Sequence, residues 1–202
     1  LTKEHQIWQG IKNSDANSLK ELYQLYYHDL FNYGKRMTKD EPLIEDALQE
    51  TFISIWKYRQ TTAVPAVVKQ YVLKIFRNQL LKIFKDRIPT IYSEESHDFS
   101  FEISFDQKMI AGEDSEKLSA YINTALQKLT SRQREIIYYR FYENLSFEQI
   151  SEIMNMQTRA TYKLIARALN ALKNIRDPRI FNLLLIRCCI RTFFNYFNLF
   201  LK

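Results

Sequence analysis

Only three glycines and four prolines occur in 202 residues, and that scarcity sets the strongest limit on what this chain folds into. Tight turns draw on glycine for positive φ and on proline for a preset φ, and a multi-stranded sheet needs many such turns. Soluble chains usually carry roughly 7% glycine and about 5% proline. Long helices with few connections are therefore the predicted class, all-α. Hydrophobic residues make up 46% of the chain, enough to fill packed cores, and the length suits one generous domain or two small ones.

Periodicity supports helices. From Leu19 to Arg36, residues Leu22, Tyr23, Leu25, Tyr26, Leu30, Phe31 and Tyr33 recur at three- and four-residue steps, as an amphipathic helix requires. Ser14 or Asp15 suits its N-cap. A second helix follows Pro42, with Ile44, Ala47, Leu48, Phe52, Ile55 and Trp56 on one side, and Thr61 to Pro65 reads as a break. The third runs from Ala66 to Arg87. Its buried candidates are Val68, Tyr71, Val72, Ile75, Leu80, Ile83 and Phe84, interleaved with Lys69, Lys74, Arg77, Lys82, Lys85 and Arg87.

Charge then divides the chain. The formal net charge is +6, a bias toward polyanionic partners. Yet the stretch 89–116 carries eight carboxylates against the single Lys108. Its periodicity is weak and its like charges favour an extended linker. Beyond it, Thr130 to Gln133 and Ser146 to Gln149 both read S/T-x-x-Q, the capping-box pattern of a helix start. Residues 145–172 read as a helix-turn-helix. Ile150, Ser151, Ile153 and Met154 face inward on its first helix, and Asn155 sits in the turn, where it tolerates left-handed dihedrals. The second helix starts at Gln157 or Thr158 and buries Thr161, Leu164, Ile165, Ala168 and Leu172. It leaves Arg159, Ala160, Tyr162, Lys163, Ala166 and Arg167 for a major groove.

Three segments in order resemble the extracytoplasmic-function (group 4) sigma factors of the sigma-70 family. Residues 45–56, EDALQETFISIW, resemble the family's signature helix; residues 68–82, VKQYVLKIFRNQLLK, resemble its next segment with an Arg-Asn pair; and residues 126–173 resemble its promoter-reading domain. The resemblance implies a two-domain sigma factor that binds core RNA polymerase and directs it to promoter DNA. Its domains are a region 2-like domain over 1–88, an acidic linker over 89–116, a region 4-like domain over 117–176 and an apolar amphipathic C-terminal helix over 177–202. Asp46, Gln49, Glu50, Phe52 and Trp56 match the positions that dock on the clamp helices of the polymerase's largest subunit. The loop from Gln60 to Val68 and the helix after it correspond to the segment that opens and holds the minus-10 element. There Arg77 and Asn78 match the motif pair, and Lys74, Lys82 and Lys85 are backbone contacts by charge. Arg159, Tyr162, Lys163 and Arg167 are the minus-35 candidates, with Arg132, Arg134 and Arg140 adding phosphate contacts. Thr161, Leu164 and Asn155 depart from the usual Val, basic residue and Gly. The linker is either a nucleic-acid mimic in a polymerase channel or a solvated tether.

In the tail, Arg187, Arg191, Asn195, Asn198 and Lys202 form one narrow polar stripe on a helix otherwise large and apolar. Arg187, Arg191, Phe193, Phe194, Phe197 and Phe200 are its partner-docking candidates. The partner is an anti-sigma protein, polymerase itself or a separate DNA-targeting recruiter; packing on the chain's own domains and lying at a membrane surface are the other readings. A membrane span is not expected, because the longest uncharged run is Thr192 to Leu201, against ~20 residues for a spanning helix. The adjacent Cys188 and Cys189 predict a reduced, cytoplasmic setting, and no secretory segment is read at the N-terminus. No enzyme is expected and no metal or cofactor, since His5, His28 and His97 are scattered and no phosphate loop or nucleophile motif occurs. The rival readings are a polymerase-independent helix-turn-helix regulator and a sigma-like adaptor brought to DNA by another protein.

Overall fold

The computed structural model of the protein describes residues 2–87, 99–102, 120 and 122–173, and no strand occurs among them. The chain divides into two compact units. Among the described residues, the first holds 2–87 and Phe99 together with Ser151–Met156, the second 100–102, 120, 122–150 and 157–173.

Four helices build the first unit: α1 (Lys3–Lys12), α2 (Ala16–Met37), α3 (Glu41–Lys57) and α4 (Val68–Arg87). Each of the first three starts on a side-chain oxygen, from Thr2, Asp15 and Asp40 in turn, that accepts from the orphan backbone N–H groups of the first turn. Asp15, rather than Ser14, caps α2, accepting from the N–H groups of Asn17 and Ser18 at 3.0 and 3.1 Å. Helix α1 lies outside the sequence-based expectations. Its Ile7, Trp8 and Ile11 are fully inside, and Trp8 meets the Tyr71 ring edge-on at 5.4 Å. Helices α2, α3 and α4 cross at Gly34, where an added Cβ would stand 2.7 Å from Ile44 Cγ2 and 3.3 Å from Phe76 Cζ. The same economy of side chain appears at Gly10, whose added Cβ would collide with Ser18 Oγ.

The buried face of α4 is turned relative to the expectation. Val68, Val72, Leu73, Phe76, Arg77 and Leu80 point inward, while Tyr71, Ile75, Ile83 and Phe84 are partly exposed. With apolar residues all around this helix, periodicity alone leaves the face ambiguous, and the crossing at Gly34 selects the one bearing Phe76.

In the second unit a helical segment at 122–127 leads to α5 (Ser131–Ile137), which runs on into a π-helical turn, Tyr138–Tyr142. Next in the chain comes the helix-turn-helix, α6 (Phe147–Ile153), whose residues from Ser151 group with the first unit, and α7 (Thr158–Lys173). Both capping boxes form. Gln133 N–H donates to Thr130 Oγ1 and Thr130 N–H to Gln133 Oε1, at 3.3 and 3.0 Å; the Ser146–Gln149 pair does the same at 3.2 and 2.7 Å.

A uniformly solvated linker is not what the described part of 89–116 shows. Phe99 is buried in the first unit beside Tyr33, and Phe101 is buried in the second beside Tyr138 and Tyr142. Burying a phenyl ring stabilises by about 1.5–3 kcal/mol, enough to override the tendency of nearby carboxylates to keep the chain extended. The C-terminal helix expected over 177–202, with Arg187, Arg191, Phe193, Phe194, Phe197 and Phe200, lies outside the described residues.

Candidate nucleic-acid and partner interfaces

Helix α3 buries Leu43, Ile44, Ala47, Leu48, Thr51, Phe52 and Ile55. Thr51, the polar member, donates its hydroxyl to Ala47 O at 2.7 Å. The opposite stripe presents Asp46, Gln49 and Glu50 to solvent, as a docking face requires, and adds Ile53, which is 56% exposed. Sequence reasoning passed over Ile53, although its position four residues after Gln49 and three after Glu50 puts it on that face. Asp46 reaches Arg87 at 3.4 Å with both side chains about half exposed, a pairing weak enough to be exchanged for another partner.

Phe52 corrects the docking set. It is 6% exposed and packs edge-on against Tyr23 at 5.0 Å, so it shapes the helix from within. Trp56 is half-buried, with the Arg59 guanidinium 4.2 Å from its ring centre. Beside this face Tyr27 donates its hydroxyl to Glu45 at 2.5 Å, and that hydrogen bond to a carboxylate pushes the phenol up to about 12.

On α4, Lys74 and Asn78 are half-buried and Lys82 and Lys85 exposed. Their spacing places them along one side of the helix. Arg77 departs from the surface position expected of it: at 1% exposure it belongs to the core.

Asn155 takes the left-handed conformation its place in the turn calls for, φ 49. Helix α7 buries Thr161, Ile165, Ala168 and Leu172 and exposes Arg159, Lys163, Ala166 and Arg167. No acidic residue occurs between Thr158 and Lys173. Leu164 is only half-buried, short of the full burial expected. Tyr162 lies stacked on Phe147 at 4.0 Å, which fixes its ring against α6. Thr161 is wholly inside and donates to Gln157 O at 3.3 Å, so its departure from the family's Val concerns packing and not base reading.

Two of the arginines proposed for phosphates are built into the fold. Arg134 donates to Leu129 O at 2.7 Å and to Ser131 Oγ at 3.3 Å. Arg140 donates to Leu145 O at 2.8 Å, with its guanidinium 5.0 Å from the Phe147 ring centre. Arg132 is half-buried. Among the described residues no helix is long and apolar enough to cross a membrane.

Two family models match the chain: sigma-70 region 2 over residues 22–87 and sigma-70 region 4 over residues 125–174. The ECF RNA polymerase sigma factor SigM of Bacillus subtilis (strain 168) is 27% identical over 161 residues, covering 77% of this chain and 93% of that protein. The RNA polymerase sigma factor SigV of the same organism is 22% identical over 151 residues, covering 74% and 83%. Two solved structures share the fold. CnrH in complex with the cytosolic domain of CnrY aligns with a TM-score of 0.56 at 13% identity, over 85% of this chain and 96% of that one. The sigma factor RpoE in complex with the anti-sigma factor NepR from Bartonella quintana gives 0.53 at 22%, over 77% and 94%. The two matched regions together span more than half of the chain, in family order and on the helices described above. The chain belongs to the sigma-70 family, in its extracytoplasmic-function branch, and is a DNA-binding transcription-initiation factor rather than an enzyme.

Proposed function

We propose that the protein binds core RNA polymerase through the exposed face of α3 and carries it to promoters that its two units read separately. The observation that carries this reading is the α3 face itself, where Asp46, Gln49, Glu50 and Ile53 stand in solvent on the family's signature helix. An exposed isoleucine ringed by polar groups is a suitable centre for a protein interface, because its burial on docking supplies apolar contact while its neighbours set register. Trp56 borders that face.

In this reading the loop after α3 and the side of α4 bearing Lys74, Asn78, Lys82 and Lys85 hold the opened minus-10 strand. Helix α7, with Arg159, Tyr162, Lys163 and Arg167, lies in the groove of the minus-35 element. Lysines and arginines neutralise phosphates, and the loop binds bases once they leave the stack. Such work takes place in the cytoplasm, where the polymerase is. The domain limits 1–88, 89–116, 117–176 and 177–202 are part of the same proposal. So is control by a protein that covers the apolar C-terminal segment, an anti-sigma protein or a recruiter; both structural relatives were solved with a protein partner, CnrY for CnrH and NepR for RpoE.

The test is capture of sigma-free core polymerase by the full chain and by Ile53→Asp, followed by transcription from a library of genomic fragments. Retention of polymerase by the parent chain, new transcripts and loss of both in the variant are expected. A chain that binds DNA but never polymerase is instead a free-standing helix-turn-helix regulator. One that docks but opens no promoter is an adaptor.

A further inference from the structure

The loop between α3 and α4 is strapped from one side by the amino-terminal helix. Lys12, half-buried at the end of α1, donates its ammonium to Thr62 O at 2.6 Å. Gln60 returns the tie, donating its amide to Lys12 O at 2.7 Å. His5 Nε2 stands 3.1 Å from Pro65 O; a carbonyl only accepts, so this nitrogen is the donor, and Nδ1 faces Thr2 Oγ1 at 2.6 Å. Arg59 donates from Nε to Ser14 Oγ at 3.1 Å and from Nη1 to Trp56 O at 2.6 Å. Ser14 holds φ 65 to make that turn.

The other face of α1 is locked in the core by Ile7, Trp8 and Ile11. A rigid helix thus grips carbonyls and side chains of a loop whose internal backbone hydrogen bonds are confined to its first turn, Thr61 and Thr62 N–H to Tyr58 O. A loop held in one shape before its ligand arrives binds more tightly, because the ordering entropy is already spent.

We propose that α1 is the positioning element of the strand-holding loop, with Lys12 its principal tie and His5 and Ser14 its supports. The proposal rests on the reading of that loop as the part that holds unpaired promoter bases. It extends the functional surface to a helix outside the region 2 match, which begins at residue 22.

The experiment compares the full chain with Lys12→Met, which keeps the aliphatic stem, and with Lys12→Arg, which keeps a charged donor. Amide hydrogen exchange is followed at Thr61 and Thr62. In parallel, holoenzyme made with each chain is tested on single-stranded oligonucleotides selected from a random pool by the parent holoenzyme. Loss of a hydrogen bond from a charged donor predicts roughly tenfold faster exchange and roughly tenfold weaker retention for Lys12→Met. Affinity for core polymerase should stay within about twofold, and Lys12→Arg should restore most of both losses. Unchanged exchange in Lys12→Met overturns the proposal, and so does faster exchange with retention intact. A parent holoenzyme that selects no oligonucleotide sinks the reading of the loop and the proposal with it. Should Lys12→Met not fold, Gln60→Ala removes the reciprocal tie, and unchanged exchange there is equally fatal.

Discussion

Helices α3 and α7 share a design and differ in charge. Each buries one stripe, Ala47, Leu48, Thr51 and Ile55 in α3 and Thr161, Ile165, Ala168 and Leu172 in α7, and each leaves the opposite stripe in solvent. The α3 stripe is acidic and polar around an exposed isoleucine, whereas the α7 stripe carries Arg159, Lys163 and Arg167 with no carboxylate on the helix. A polyanion would be repelled by the first and drawn to the second. Under the proposed function one construction serves two partners, and the exposed residues decide which.

The largest effect should come from breaking the α3 face. Ile53→Asp is expected to weaken core-polymerase binding about a hundredfold, as removal of an interface centre does, while the melting temperature of the free chain stays put because the side chain is already in water. Equilibrium binding to labelled core polymerase and a thermal melt check both halves. Next comes a change beneath that face. Gly34→Ala forces a methyl group against Ile44 and Phe76, and overpacking of this kind costs about 1–3 kcal/mol, read in chemical denaturation of the full chain.

On the other helix, Arg159→Ala with Lys163→Ala should reduce affinity for duplex DNA about tenfold at moderate salt. It should also flatten the dependence of log K on log salt by about two, one for each phosphate that is no longer neutralised. A titration at three salt concentrations measures this, and an unchanged slope would remove α7 from the DNA. Smaller again are the capping boxes, where Thr130→Ala and Ser146→Ala should each cost about 1 kcal/mol with no effect on polymerase binding.

The smallest effect expected is a pH response at the start of α2. Hydrogen bonds from the Ser18 side chain and the Asn17 N–H hold the Asp15 carboxyl below its ordinary value of 3.8. A depressed folded value means the cap is in place above the unfolded value and is lost as pH falls through the folded one. Amide shifts of Asn17 and Ser18 should therefore titrate with a midpoint below 3.8.

Much of this was legible in the sequence where a local rule decides the outcome. Both capping boxes, the left-handed Asn155 and the inward set of α3 follow from spacing and side-chain chemistry that act within one turn. Sequence reasoning failed where the outcome depends on what a helix meets. Arg77 looked like a surface charge beside Asn78, yet the crossing at Gly34 rotates its side of α4 into the core. Phe99 and Phe101 lie among carboxylates, and their burial depends on aromatic partners far away in sequence, Tyr33 and Tyr138. Helix α1 was passed over although Ile7, Trp8 and Ile11 have helical spacing behind a Thr2 cap; three apolar residues in ten are a faint signal until a groove is there to receive them. Arg134 and Arg140 show the same limit, since a basic residue's commitment to a carbonyl is invisible without the fold.

The most direct measurement is multi-round transcription by purified core polymerase with and without the full chain, on a genomic fragment library, with Ile53→Asp and the Arg159→Ala, Lys163→Ala pair run alongside. Transcripts that appear only with the parent chain, vanish with Ile53→Asp and weaken with the α7 pair are the expected result. Absence of any chain-dependent transcript, or equal output from Ile53→Asp, would contradict the assignment of α3 as the polymerase-docking face.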